Sequence, residues 1–246
     1  EQATLDALDA ACRSGDAAAF IVEPLVLGAG GMLMYGADTL AAMHEVCLRH
    51  DVLFIADEVM TGWGRTGTLL ASQQAGIVPD LLCLAKGLTG GSMPLAVTLA
   101  SSAIFDAHYS TDRALQFFHS SSYTANPIAC AAALANLAIW QEEPVTERIA
   151  ILEKRQATGL ARLTDLAGVT NPRQCGTIIA LDVETGPDAG YLADIAPRML
   201  AGFRERDVLL RPLGNTTYVM PPYCITGEQL DRVYTTIAEV VNTVAG

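Results

Sequence analysis

Three apolar runs, Ala18-Ala19-Phe20-Ile21-Val22, Val52-Leu53-Phe54-Ile55-Ala56 and Leu81-Leu82-Cys83-Leu84, each give way abruptly to an ionisable side chain: Glu23, Asp57 and Lys86. A buried strand that stops this way delivers one charged group to the carboxyl edge of a sheet. Between the first two runs, Leu40, Met43, Val46 and Cys47 recur at helical spacing. Strand, helix, strand alternation marks a mostly parallel sheet with helices on its faces, so the expected fold class is α/β.

Around this frame, residues 1–16 read as a helix and Gly28-Ala29-Gly30-Gly31 as a loop. A further strand is expected at Leu95-Ala96-Val97-Thr98-Leu99. A polar loop, 119–125, leads to Asn126-Pro127, a strong helix start with asparagine at the N-cap and proline at N1, opening an alanine-rich helix to about Trp140. The break Gln141-Glu142-Glu143-Pro144 predicts a boundary, giving domains 1–143 and 144–246. Ile149, Leu152, Leu160 and Leu163 predict a long amphipathic helix in the second domain, followed by a strand at 177–183. A helix over 189–206, interrupted by Pro197, and a strand at 208–211 come next. Thr226 with Gln229 resembles a capping box ahead of a final helix whose Leu230, Val233, Tyr234, Ile237, Val240, Val241 and Val244 form one apolar face. The C-terminal part therefore reads as a small α/β domain.

The chain has 246 residues, 51% of them hydrophobic, with a mean hydropathy of +0.31, yet no apolar run approaches the roughly 18 residues of a membrane span. The apolar surplus implies a deep core and an apolar subunit interface. A net charge of −12, from 27 acidic and 15 basic residues, would repel a phosphate backbone and argues against nucleic acid. A small-molecule substrate is the expectation. Six scattered cysteines without a C-x-x-C pair fit reduced thiols in a cytoplasmic protein. The four histidines form no metal-ligand pattern. No signal sequence opens the chain, which begins at Glu1 rather than methionine and is expected to be a fragment.

Asp57 and Lys86 lie 29 residues apart, about one helix and strand, which brings both to the same edge of a parallel sheet. Burial at a strand end would disfavour the ammonium form of Lys86 and leave a nucleophilic amine, while Gly87, Gly90 and Gly91 keep bulk away from a flat ligand. Glu58, beside Asp57, points elsewhere and reads as structural. A lysine and an aspartate so delivered suit pyridoxal phosphate: the amine can hold the cofactor covalently and the carboxylate can pair with its pyridinium nitrogen. The commoner readings are a lysine that snorkels to solvent and an aspartate that caps a turn. The run His119-Ser120-Ser121-Ser122-Tyr123-Thr124 ahead of the Asn126 helix offers hydroxyls and a helix N-terminus to a phosphate. Arg65 and Arg211 are candidate forks for a substrate carboxylate, with surface salt bridges as their alternative. No G-x-G-x-x-G follows the first strand, which argues against a nucleotide-binding oxidoreductase.

Glu23-Pro24, Ile55-Ala56-Asp57-Glu58, Gly64-Arg65-Thr66-Gly67, Leu84-Ala85-Lys86-Gly87-Leu88-Thr89-Gly90-Gly91 and Asn126-Pro127 together resemble the class III pyridoxal-phosphate aminotransferases of fold type I. Val26-Leu27-Gly28-Ala29-Gly30-Gly31-Met32, Thr89-Gly90-Gly91-Ser92-Met93, Ala129-Cys130-Ala131-Ala132-Ala133 and Tyr218-Val219-Met220-Pro221-Pro222-Tyr223 resemble the branch serving biotin synthesis. Ala29 stands where the ornithine and ω-amino-acid branches commonly have glutamate. The resemblance implies Lys86 as the covalent lysine and Asp57 as the pyridinium partner, with Ser121, Ser122 and Glu23 also at the cofactor. Ser122 would reach the cofactor phosphate of the neighbouring subunit. Arg211 would bind the substrate carboxylate, and Arg65 and Tyr218 would line the pocket. It further implies a homodimer, residues 1–143 as an N-terminally incomplete cofactor domain, and transamination of 8-amino-7-oxononanoate to 7,8-diaminononanoate by S-adenosylmethionine. Other class III acceptors, ω-amino acids or diamines, and an inactive fragment are the alternatives.

Overall fold

The computed structural model describes residues 1–119, 122–185, 189–190 and 192–244. The chain divides into two compact units, the first built from 1–25, 35–63 and 69–143, the second from 26–34, 64–68 and 144–246.

In the first unit, α1 (Gln2–Arg13), β1 (Ala19–Val22), α2 (Ala37–Arg49) and β4 (Leu53–Asp57) form the expected alternation, with β2 (Val26–Leu27) and β3 (Leu33–Met34) as a small antiparallel excursion assigned to the second unit. β5 (Leu81–Leu84) and β6 (Val97–Ala100) complete a sheet of order β1-β4-β5-β6. β1 and β5 both run parallel to β4, while β6 runs antiparallel to β5. The connection from β5 to β6, residues 85–96, holds only a 3-10 turn, Lys86–Thr89, and not the helix that usually carries a parallel crossover. Phe54 and Ala56 alternate inward at 0% exposure, and α2 buries Leu40, Met43, Val46 and Cys47. α3 (Ser102–His108) and α4 (Pro127–Glu142) follow. The Asn126 side chain accepts from the Ile128 and Ala129 amides at 3.0 and 3.3 Å, with Pro127 at N1, so the predicted cap is present.

In the second unit, α5 (Val145–Thr164), β7 (Val169–Cys175), β8 (Ile178–Val183), α6 (Ile195–Arg204), β9 (Thr216–Val219) and α7 (Gly227–Val244) form an antiparallel sheet, β7-β8-β9, with three helices. Ile179, Leu181 and Val183 of β8 pack with Met199 and Phe203 of α6 and with Tyr234, Ile237 and Val241 of α7 in one core. The Thr226–Gln229 capping box is reciprocal: Thr226 N–H donates to Gln229 Oε1 at 2.9 Å and Gln229 N–H to Thr226 Oγ1 at 3.2 Å.

Two expectations change, and one strand was not expected. Pro197 does not interrupt a helix, because α6 begins at Ile195 and a proline in the first turn lacks only an amide that would have no helical partner. Residues 208–211 form no strand; Leu209 is 79% exposed, and the ladder beside β8 is filled by β9, with Tyr218 opposite Ala180. Strand β7 carries Pro172 and polar residues, so its sequence conceals it. It is an edge strand with a register shift between Thr170 and Arg173 and Asn171 at φ +48°, the setting in which a sheet tolerates proline. Among the described residues no helix is long and apolar enough to cross a membrane.

Candidate active site

The carboxyl ends of β1, β4 and β5 bring three of the singled-out residues to one edge. Val22 pairs with Ala56 and Asp57 with Cys83, so Glu23, Asp57 and the Ala85-Lys86 step follow the last rungs of three adjacent parallel strands. Glu23 lies partly buried, and its carbonyl accepts from Tyr35 Oη at 2.9 Å. Asp57 is also partly buried, and its Oδ1 accepts from Val59 N–H at 3.1 Å.

Glu58 is turned the other way. It is 0% exposed and its two carboxylate oxygens accept from Ala71 N–H at 2.6 Å and Ser72 N–H at 2.9 Å, at the start of a 3-10 turn, Ala71–Ala75. Its own N–H extends the ladder to Cys83 O at 3.0 Å, and its carbonyl accepts from Gly62 N–H at 3.0 Å. Backbone donors thus replace water around this buried carboxylate.

Lys86 opens a second 3-10 turn, Lys86–Thr89, at φ +44°. The burial expected for it is not found: β5 ends at Leu84, and Lys86, past the last rung, is exposed. Gly91 lines the cleft beside Lys86, as expected, but Gly87 acts differently from expectation. A Cβ on Gly87 would stand 2.6 Å from Trp63 Cβ, so this glycine makes room for an indole, while Gly90 and Gly91, at φ +62° and +82°, serve the turn. Trp63 in turn meets Trp140 edge-on at 5.9 Å. Asn136 of α4 donates through Nδ2 to Gly87 O and Leu88 O at 2.9 and 3.2 Å.

Lys86 and Ser122 line one cleft of about 950 Å³, together with Val59, His119 and Thr124. Thr124 Oγ1 and His119 Nε2 are 3.1 Å apart. Asp57 is not among the lining residues, although Val59, which it holds, is. Ser121, like Ser120, lies outside the described residues. The N-terminus of α4 is already served by Asn126, so hydroxyls rather than the Ile128 and Ala129 amides are the groups offered to an anion here.

Arg65, Arg211 and Tyr218 belong to the second unit. Arg65 is committed within it: Nη1 donates to Pro221 O at 2.6 Å, the guanidinium lies 4.8 Å from the Tyr223 ring centroid, and its carbonyl accepts from Thr177 N–H at 2.9 Å. Burial pushes the Tyr223 hydroxyl's pKa up, against the opposing pull of Arg65. Tyr218 sits half-buried on β9, and Arg211 is exposed. Sequence reasoning passed over Asn136, although it interrupts an otherwise apolar stretch of α4. It also passed over Arg173, which pairs with Asp182 at 3.0 Å and donates to Gly31 O and Met32 O at 2.8 and 2.7 Å.

A lysine and an aspartate thus stand at the ends of adjacent parallel strands, and hydroxyls share a cleft with the lysine. The family description Aminotransferase class-III matches residues 1–241, and the chain belongs to that family. It is 43% identical over 244 residues to the adenosylmethionine-8-amino-7-oxononanoate aminotransferase of Synechococcus elongatus, covering 99% of this chain and 57% of that one. The protein of the same name from Geobacter sulfurreducens is 38% identical over 239 residues, covering 95% of this chain and 53% of the relative. The crystal structure of such an enzyme from Methanocaldococcus jannaschii superposes with a TM-score of 0.85 at 31% identity, over 91% of this chain and 53% of that one. The fold is therefore that of the class-III aminotransferases, and the chain spans about half the length of the curated relatives it matches.

Proposed function

We propose that this chain carries the lysine- and aspartate-bearing part of a pyridoxal-phosphate aminotransferase of biotin biosynthesis. It would move the amino group of S-adenosylmethionine to 8-amino-7-oxononanoate, giving 7,8-diaminononanoate. The observation that carries the reading is the register of β4 against β5, which sets Asp57 and Lys86 at the carboxyl ends of adjacent parallel strands. The names of the Synechococcus and Geobacter relatives support the choice of substrates.

The residues fit the cofactor by their chemistry. An amine on an exposed turn and a carboxylate at the neighbouring strand end are the groups that an aldehyde and a pyridine nitrogen need, and the hydroxyls of Ser122 and Thr124 suit the phosphate of a second cofactor held by a neighbouring copy. A cleft of about 950 Å³ holds a ligand of that size. Lys86 would hold the cofactor covalently, Asp57 would pair with its ring nitrogen, and Ser121 and Ser122 would meet a phosphate, in a homodimer that of the neighbouring subunit. Glu23 would border the cofactor site from the end of β1. Pyridoxal phosphate, when bound, supplies an electron sink that acidifies the C–H bond beside the transferred amine.

The remaining chemistry belongs to the protein. Lys86 Nζ would take a proton as a general base and return it as a general acid, a role that needs reach and therefore an exposed stem. From the second unit, exposed Arg211 would offer a planar fork to the substrate carboxylate, with Tyr218 as a further substrate contact. Arg65, committed to Pro221 and Tyr223, is less suited to fork a carboxylate. The exposure of Phe117, Phe118, Ile128 and Leu134, 66–72%, favours burial of apolar surface in a homodimer. A cytoplasmic location accords with the six free thiols.

Adding pyridoxal phosphate to the chain is expected to produce a visible absorbance band that Lys86→Ala abolishes, and S-adenosylmethionine is expected to bleach it where simple ω-amino acids and diamines do not. A band that persists in Lys86→Ala refutes the assignment of the lysine. Bleaching by diamines alone moves the enzyme to another branch of the class.

A further inference from the structure

Lys86 adopts φ +44°, a left-handed conformation that a residue with a side chain keeps only where its surroundings over-determine it. Three contacts within the first unit do so. The N–H of Gly91 donates to the Lys86 carbonyl at 3.0 Å and closes the turn. The Trp63 side chain fills the space a Cβ on Gly87 would need. The third contact is Asn136, whose Nδ2 reaches the carbonyls of the next two residues, Gly87 at 2.9 Å and Leu88 at 3.2 Å.

Two carbonyl partners fix which end of the Asn136 amide faces the turn, because only the nitrogen can donate to both. Around it, from Ile128 to Ile139, α4 is built of alanine, leucine, isoleucine and one cysteine. A polar amide in such a helix is stabilised only by the bonds it makes, and both go to the turn that Lys86 opens. Leucine at the same position would suit helix propensity and apolar packing equally well.

We propose that Asn136 is the positioning residue for Lys86. Its amide holds the Gly87 and Leu88 carbonyls so that the strained turn keeps the amine at the sheet edge when the amine is free of the cofactor as well as when it is bound. The inference rests on the reading of Lys86 as the covalent lysine.

The test uses the 246-residue chain with Asn136→Leu, which is close to isosteric, and Asn136→Ala, which is smaller and cannot overpack. Hydrogen exchange of the cofactor-free chain reads the Leu88, Gly90 and Gly91 amides, which close the turn. Borohydride trapping reads the rate at which pyridoxal phosphate becomes attached at Lys86. Both variants are expected to exchange faster at those amides, and to attach cofactor more slowly, by about ten- to thirtyfold, the factor for losing two ordinary hydrogen bonds. Wild-type exchange at the turn in either folded variant overturns the proposal. A lowered melting temperature with unchanged attachment also overturns it, since Asn136 would then serve stability alone. If the wild-type chain never attaches cofactor while Lys86 remains exposed, the reading of Lys86 fails and the inference that rests on it falls too. Attachment by wild type that the variants match removes only the role of Asn136.

Discussion

Removing the Glu58 carboxylate tests whether the edge that carries Asp57 is held from behind. In Glu58→Ala, the amides of Ala71 and Ser72, residues 0% and 2% exposed, lose their acceptors at 2.6 and 2.9 Å. Each orphaned buried donor costs about 1–3 kcal/mol. Part of that is offset, because a buried carboxylate carries a desolvation cost that the alanine does not. The expected net loss is about 2–3 kcal/mol. Glu58→Gln keeps the volume and one acceptor but turns its NH₂ toward the second amide, for a loss of about 1–2 kcal/mol. Urea unfolding followed by tryptophan fluorescence is the suitable assay, because both tryptophans of the chain, Trp63 and Trp140, lie in the first unit. An alanine variant within about 0.5 kcal/mol of the parent, the range of an indifferent surface substitution, would refute the reasoning.

In the second unit, Arg173→Met should cost about 3 kcal/mol, the lower end for breaking a buried pair, because Asp182 is still 20% exposed; calorimetry of the variant checks this. The exposed Arg162–Asp231 pair, by contrast, should change stability by less than about 1 kcal/mol when broken. At the joint of α1 and α2, hydrogen bonds from His50 and then Arg49 lower the Asp9 pKa from 3.8 to about 2. A carboxylate whose pKa falls on folding stabilises the native state above its unfolded pKa and loses that contribution as pH drops through the folded one. The stability difference between wild type and Asp9→Asn is therefore expected to shrink from about pH 4 to pH 2, and a difference that grows over that window would contradict the assignment.

Strand ends in the first unit were legible because each apolar run stops close to where its ladder stops, although only alternate residues such as Phe54 and Ala56 are fully buried. Leu81-Leu82-Cys83-Leu84 matches β5 residue for residue. Helix starts were legible where one side chain supplies the cap, as at Asn126 and Thr226. Strand β7 was hidden because an edge strand needs neither apolar alternation nor every amide, so Asn171-Pro172 reads as a turn. The exposure of Lys86 was hidden for a different reason. Apolar neighbours in sequence predict burial of the strand, but two residues past its last rung the chain has turned, and φ +44° cannot be inferred from a lysine. The role of Gly87 was misassigned on the same ground, since the indole it accommodates comes from Trp63, outside the local sequence.

The two positions proposed as reactive share one physical arrangement. Asp57 and Lys86 each stand at or just past the end of a strand ladder, where backbone pairing no longer fixes a side chain, and each has a neighbour whose hydrogen bonds go to the backbone. Glu58 closes the base of the excursion that follows Asp57, by accepting two amides across it. Asn136 grips the turn that follows Lys86, by donating to two carbonyls. The first device uses a charged acceptor and the second a neutral donor, which suits what each loop leaves unsatisfied: amides at the N-terminus of one 3-10 turn, carbonyls in the other. Exchanging the two chemistries would fail at both places, since an amide at 58 would face a donor and a carboxylate at 136 would face two carbonyl oxygens. The order at the sheet edge is thus supplied from beside Asp57 and Lys86, and the Lys86 side chain stays exposed to solvent.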